Sequence, residues 1–380
     1  MVSPWKQKRR QRRRTIVTPR HEKPLPMTTA KSLVVIDLTS GRVLAERKAR
    51  EPRSVASLTK VVTALVTLRL CRQNGLDLST TYLPVSKRAS SICGTSACLQ
   101  EGDVLTVRDL LHALLLPSGN DAATTLAEGC GRLMLEAKVG KEVAADVGNI
   151  ECEKHFVEEM QRESDRVGNV SGSTNFLNPH GMDQRKEEDE EKEEVEQKQG
   201  EKQRHLAYHH STAKSMANFA VAALSFPMIE SIVTTKKYSC QVKSDGGGGG
   251  GAAACDDAGT ELRKFEWLNT NKMLWKSKHA IGMKTGWTKD AGPCLCSVMR
   301  VPVVMHCGSV ESPRKSSPRK SSPRKGSPRS PRKGRPTSTI RKFRKVLVLT
   351  LGSESKSERW VEHTRIHRWA RKHRNSAQSI

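Results

Sequence analysis

The two ends of this 380-residue chain carry its most strand-like segments, and helix-like segments fill the space between them. Val34–Asp37 and Val43–Ala45 flank a turn at Ser40-Gly41, and Cys294–Val304 and Val346–Leu351 are short apolar runs rich in β-branched residues. Between them, Leu58–Leu70 places apolar residues at 58, 61, 62, 65, 66 and 68, the spacing of one helix face. Val107–Leu116, a segment starting at Asp121–Ala127, Phe156–Val167 and Ala213–Leu224 read the same way, and Trp360–Lys372 reads as a terminal helix. A strand near residue 34 can find partners near residue 348 only if the far end of the chain returns. This order predicts a single α/β domain whose sheet closes last.

Four stretches do not fit that pattern. Residues 1–30 form a basic arm, taken as disordered. Around 184–204, Glu187–Glu196 holds eight acids in ten residues, a density that repels itself and stays solvated. Around 244–260, Gly246–Gly251 is an uninterrupted glycine run with the composition of a flexible linker. Around 308–340, Ser-Pro-Arg-Lys recurs at 312, 317, 322 and 330. The expected organisation is an arm over 1–30, one domain over 31–373 with low-complexity inserts at these three places, and a tail over 374–380.

The formal net charge is +26, and this makes nucleic-acid binding the first function to test. Residues 1–30 carry +8, 308–345 carry +13 and 356–380 carry +5, so the rest of the chain is neutral. The basicity therefore reads as a property of two tails and one insert, with a weak nucleic-acid or polyanion contact expected through 308–345 at most. No run of about 18 apolar residues is present, so a transmembrane helix is not expected. The first twenty residues lack an apolar core of about 7–15 residues and do not read as a secretory signal, which leaves the compartment open. The ten cysteines form no C-x-x-C pair, and they read as free thiols. A bridge between Cys93 and Cys98 stays open.

Three short motifs occur in order: Ser57-Leu58-Thr59-Lys60 at a helix start, Ser118-Gly119-Asn120 just after a helix, and Lys284-Thr285-Gly286 before a strand. Residues three apart share a helix face, so the Lys60 amine can lie against the Ser57 hydroxyl. A serine is a weak nucleophile without such a base, and a lysine acts as one only if burial or a second cation such as Lys284 depresses its pKa. Ser118 can relay a proton, Asn120 can hold Lys60, Lys284 and Thr285 can bind a carboxylate, and Gly286 can let a substrate backbone approach. S-x-x-K alone has little weight here, because it recurs at Ser3, Ser211 and elsewhere. The ordered set carries the weight.

Longer blocks surround these motifs: Ala56–Lys60 with Thr63-Ala64, Pro117–Ala123, Thr174–Asp183, Ser211–Ala213, Asn269–Asn271, and Gly282–Thr288 followed by Ala291-Gly292. In these blocks the chain resembles the serine-type D-alanyl-D-alanine carboxypeptidases, the low-molecular-mass penicillin-binding proteins of the β-lactamase superfamily. The resemblance runs from about residue 31 to 352, and the inserts fall between its blocks. It implies a β-lactamase/transpeptidase-like fold, an antiparallel sheet flanked by helices with a helical subdomain. It also implies Ser57 as acyl-ester nucleophile, Lys60 as general base, Ser118 as proton relay, and Asn120 as the residue holding Lys60 and the substrate amide. Lys284, Thr285 and Gly286 would bind substrate, and the backbone N–H groups of Ser57 and Trp287 would form the oxyanion hole. The implied substrate is a peptidoglycan stem peptide ending in D-Ala-D-Ala, β-lactams would inhibit, and neither metal nor cofactor is required. No E-x-E-L-N segment lies between Asn120 and Lys284, which argues against a class A β-lactamase. His180, next to a glycine in a turn, is expected to be structural, while His209-His210, His363 and His367 are spaced too loosely for a metal site. The alternative from a different class is a polyanion- or DNA-binding protein on an inactive scaffold of the same kind.

Overall fold

The computed structural model describes residues 24–184, 208–244, 254–255, 261–305 and 340–372. The arm before residue 24, the acidic run, the glycine run, the Ser-Pro-Arg-Lys repeats and the tail from 373 lie outside the described residues.

Eleven strands are described: β1 (Ser32–Asp37), β2 (Arg42–Arg47), β3 (Tyr82–Pro84), β4 (Asp103–Thr106), β5 (Lys237–Ser244), β6 (Ala254–Cys255), β7 (Glu261–Leu268), β8 (Ala280–Gly282), β9 (Thr285–Gly286), β10 (Cys294–Met305) and β11 (Ile340–Leu351). The helices are α1 (Thr59–Gln73), α2 (Lys87–Ser90), α3 (Val107–Leu115), α4 (Asn120–Val139), α5 (Lys141–Ala145), α6 (Asn149–Arg166), α7 (Ala213–Ala223), α8 (Pro227–Thr234), α9 (Met273–Lys276) and α10 (Glu358–Lys372). The main sheet is antiparallel, in the order β2-β1-β11-β10-β8, with β9 also paired to β10. As the sequence predicts, β1 pairs with the returning β11, Ser32 opposite Leu351 and Asp37 opposite Val346.

The run Leu33-Val34-Val35-Ile36 lacks an apolar/polar alternation because both faces of β1 are covered. Val34 and Ile36, with Leu347 and Leu349 of β11, face the large core that contains α1, α3, α4 and α7. Leu33 and Val35, with Val346 and Val348, face Ile366, Trp369 and Ala370 of α10. Removing α10 would return that second face to water at about 25 cal/mol per Å².

Two expectations are corrected at this layer. The charge excess does not lie wholly outside the folded part of the chain, as the reading of two tails and one insert expects. Arg344 of β11 is buried and pairs with Asp37 at 2.9 Å, and its guanidinium also bonds the Ala370 carbonyl. The basic terminal helix is an integral outer layer of the fold. The expected arm also ends earlier than residue 30, since Leu25 packs against the α10 cluster and Glu362 accepts hydrogen bonds from Thr29 and Ala30.

A second antiparallel sheet, β3-β4-β5-β7-β6, was not anticipated. Its centre is a hairpin in which Lys237 pairs with Leu268 and Lys243 with Leu262, so the strands run to either side of the glycine run and the short β6 follows it. This sheet braces the active-site side of the molecule. Arg263 bonds Asp103 at 2.7 Å, and Trp267 Nε1 donates to the Ala97 carbonyl at 2.9 Å.

Under α10, Ser297 Oγ of β10 lies 2.7 Å from His363 Nδ1 and 2.8 Å from His367 Nε2, and Thr350 Oγ1 lies 2.8 Å from His363 Nε2. Burial holds both imidazoles neutral, His363 well below the usual histidine range and His367 at about 3. Both folded pKa values lie below the unfolded value, so the unfolded chain binds more protons and stability falls as pH drops below about 6.5, for His367 down to about 3 and by up to about 1.4 kcal/mol per pH unit. His367→Leu is therefore expected to flatten the pH dependence of the urea-unfolding midpoint between pH 7 and 5. An unchanged slope would show that α10 does not hold this histidine in its neutral form.

Candidate active site

The three motifs, 60 and more residues apart in sequence, meet at one place. A turn of 3-10 helix, Ala56–Leu58, leads into α1 and puts Ser57 and Lys60 on one face. Lys60 is fully buried, and its Nζ lies 3.0 Å from Ser57 Oγ, 2.7 Å from Asn120 Oδ1 and 2.8 Å from the His180 carbonyl oxygen. Burial pushes the lysine well below its usual range, the neighbouring Lys284 lowers it further, and Asp121 partly opposes them. A neutral amine has two N–H donors and one lone pair. Asn120 Oδ1 and the His180 carbonyl occupy the two donors, so the lone pair is left for the Ser57 hydroxyl proton.

Asn120 opens α4, and its own placement is over-determined. Its amide nitrogen donates to the Cys93 carbonyl at 2.6 Å, and its backbone N–H donates to the Thr95 carbonyl at 2.7 Å. The next residue, Asp121, accepts from the backbone N–H groups of Ala97 and Leu99 and from Ser96 Oγ. Loop 93–99 is thus fastened to the start of α4. Ser118, buried, adopts φ +74°, an unusual value for a residue with a side chain, and Thr95 Oγ1 donates to its carbonyl at 2.6 Å. Such strain is common where a side chain must be aimed at a reacting centre.

Lys284 is buried, and its Nζ donates to the Thr285 carbonyl at 3.0 Å. Burial, with Arg359 as a lesser cause, brings it down to about 7. Thr285 Oγ1 lies 3.1 Å from Thr270 Oγ1, which donates to the Leu116 carbonyl. Trp287 follows β9 with its ring half exposed, and Lys356 Nζ sits 4.1 Å from the ring centroid. A Cβ at Gly286 would lie 3.2 Å from Ala56 Cβ and 3.3 Å from Ser57 N, so the missing side chain also lets β9 pack closely against the turn that carries Ser57.

Sequence reasoning missed three contributors. His180 acts through its carbonyl, which no side-chain motif reveals, and its ring is buried and neutral. Arg359 of α10 donates to the Gly286 and Cys294 carbonyls at 2.9 and 3.2 Å, and no motif marks it. Gly181, with φ +86°, has the Ala56 carbonyl oxygen only 2.1 Å from where its Cβ would be.

The profile of the D-alanyl-D-alanine carboxypeptidase family of serine peptidases (peptidase S11) matches residues 18–131 and 148–302. The chain belongs to that family. It is 24% identical over 266 residues to the D-alanyl-D-alanine carboxypeptidase DacF of Bacillus subtilis, covering 70% of this chain and 53% of the relative. It is 28% identical over 257 residues to a D-alanyl-D-alanine carboxypeptidase of Streptomyces, covering 67% of this chain and 71% of the relative. The chain therefore spans about half the length of the first relative and about seven-tenths of the second. Its fold is similar to the crystal structure of the Streptomyces K15 DD-transpeptidase, with a TM-score of 0.61 and 23% identity over 91% of this chain and 98% of that one. It is also similar to a putative penicillin-binding protein homologue of Mycobacterium tuberculosis, with a TM-score of 0.58. The fold is the β-lactamase/transpeptidase-like one that the motifs imply. None of these relatives is named for nucleic-acid binding, and the polyanion-binding alternative has no support from them.

Gly181→Ala is expected to slow covalent labelling by a fluorescent penicillin, because the added methyl strikes the carbonyl of Ala56, the residue before Ser57. Equal acylation rates in the variant and the parent would remove Gly181 from the site.

Proposed function

We propose that this chain is a serine-type D-Ala-D-Ala carboxypeptidase acting on peptidoglycan stem peptides through a Ser57 acyl-enzyme. The observation that carries this reading is a fully buried Lys60 whose Nζ lies 3.0 Å from Ser57 Oγ while Asn120 Oδ1 and the His180 carbonyl accept its other N–H groups, and whose pKa burial pushes well below the usual lysine range. Family membership and the naming of the relatives agree with it.

Ser57 Oγ attacks the carbonyl of the penultimate D-Ala while its proton passes to Lys60 Nζ. The carbonyl oxygen, now an oxyanion, lies at the backbone N–H groups of Ser57 and Trp287, the first of them at a helix N-terminus. As the C–N bond breaks, Ser118 Oγ relays a proton to the leaving D-Ala amine. Lys284 and Thr285 hold the terminal carboxylate. Water then attacks the Ser57 ester, with Lys60 again taking the proton, and frees the shortened peptide. A β-lactam enters the first half of this sequence in place of the peptide, and its ring nitrogen is the leaving group.

Fluorescent penicillin is expected to label the wild-type chain, to fail on Ser57→Ala, and still to label Ser118→Gly, more slowly. A folded wild-type chain that takes no label would end this reading. Lys60 works only as the neutral amine, so acylation falls as pH drops through its pKa. The Lys284 cation helps to keep that pKa low, so Lys284→Gln is expected to move the acid limb of the acylation profile to higher pH. A limb that stays put or moves to lower pH would contradict the assignment of Lys60 as base.

A further inference from the structure

We propose that His209 is a positioning residue that locks the nucleophile turn and the loop carrying the His180 carbonyl into one unit. This rests on the reading of Ser57 and Lys60 given above.

His209 is almost completely buried, and the ring belongs to none of the three motifs. Its Nδ1 accepts the backbone N–H of Leu177 at 3.1 Å. That nitrogen is therefore unprotonated, and in the neutral imidazole the proton is on Nε2. Nε2 lies 2.9 Å from Thr59 Oγ1, so it donates to that hydroxyl. Thr59 Oγ1 in turn donates to the Ala56 carbonyl at 2.9 Å. The chain of donors runs in one direction, Leu177 N–H to the ring and the ring to Thr59 to Ala56, with no donor meeting a donor. Burial, with smaller contributions from His210 and Lys60, brings this imidazole to about 3, so the tautomer persists through the working range of pH.

The two ends of this relay are the two places where geometry matters most. Ala56, immediately before the nucleophile, has φ +49°, a left-handed value that a residue with a Cβ adopts only when its surroundings impose it. The Thr59 hydroxyl holds the carbonyl of that residue, and Gly181 packs against the same oxygen. At the other end, Leu177 begins the loop whose His180 carbonyl takes one of the Lys60 donors. Within this loop the Pro179 carbonyl accepts Thr63 Oγ1 of α1 at 2.5 Å. His209 thus ties the turn that aims Ser57 to the loop that orients Lys60. The backbone of His209 is fixed independently by donation to the Gln184 carbonyl at 2.9 Å, so the ring can be exchanged while its backbone position is retained.

The test uses the full chain and a fluorescent penicillin, resolving the non-covalent binding constant from the acylation rate constant. His209→Leu, which fills the space without hydrogen bonds, is expected to lower the acylation rate constant by about 10- to 100-fold and to change non-covalent binding little, as for a displaced reacting group. His209→Gln can accept from Leu177 with Oε1 and donate to Thr59 with Nε2, and is expected to restore most of the rate. Thr59→Val should match His209→Leu, and the double variant should be no slower than either single one. Two results overturn the proposal while leaving Ser57 in place: His209→Leu acylating at the wild-type rate, or His209→Gln failing as badly as His209→Leu. If His209→Leu does not fold, Thr59→Val against Thr59→Ser decides: equal rates overturn the relay, and a loss only in Thr59→Val supports it. Absence of label on wild-type protein is the separate result that removes the reading beneath it.

Discussion

A primary amine buried with no carboxylate in direct contact, among the described residues, is the constraint around which this molecule is arranged. An ammonium at the position of Lys60 would lose its hydration, and no carboxylate forms an ion pair with it among the described residues. Burial pushes the pKa of the group well below its usual range, and two oxygen acceptors at 2.7 and 2.8 Å take N–H donors from it. Each acceptor must itself be held. Asn120 is held by loop 93–99, which Asp121 and the second sheet secure, while the His180 carbonyl is held by a loop that packs on α1. Much of the helical half therefore serves to place two oxygen atoms.

The sheet supplies the third motif under a related constraint. Lys284 must also be buried, and its backbone pairs with Cys296 of β10 in both directions, at 3.1 and 2.8 Å. The carbonyl of Gly286, two residues on, is taken by Arg359 from α10 on the sheet's flank. This explains why the terminal helix is packed so thoroughly, with Trp360, Ile366 and Trp369 buried and Arg344 pinned between Asp37 and the end of the helix. The charges that look excessive in composition divide into two kinds. Arg344 and Arg359 are structural parts of the sheet and site, whereas most of the others lie in segments outside the described residues.

The parts that could be read from sequence have short-range causes. The helical spacing of Leu58–Leu70 and the doubly buried runs at 33–36 and 346–351 are patterns set by burial, and they led to the right elements with ends displaced by a few residues. The second sheet was missed because β5 and β7 read Lys-Tyr-Ser-Cys-Gln-Val-Lys-Ser and Glu-Leu-Arg-Lys-Phe-Glu-Trp-Leu, half-exposed strands with weak apolar runs, and because a glycine run interrupts their hairpin. A linker-like composition can join two paired strands as readily as it can separate two domains.

The sequence by itself determined the chemistry. Serine, lysine, serine, asparagine and the Lys-Thr-Gly strand are side-chain identities in a fixed order, and helical periodicity alone places Lys60 beside Ser57. Tertiary structure decided whether that chemistry is poised. The depressed lysine comes from burial, the acceptors that complete its hydrogen bonds include a backbone carbonyl 120 residues away, and the strained Ala56 turn is held by a threonine at an unspecified position of the first motif and by a histidine outside all three. Backbone carbonyls and glycine contacts leave no signature in side-chain order, because every residue has a carbonyl and only the fold selects the one that is used.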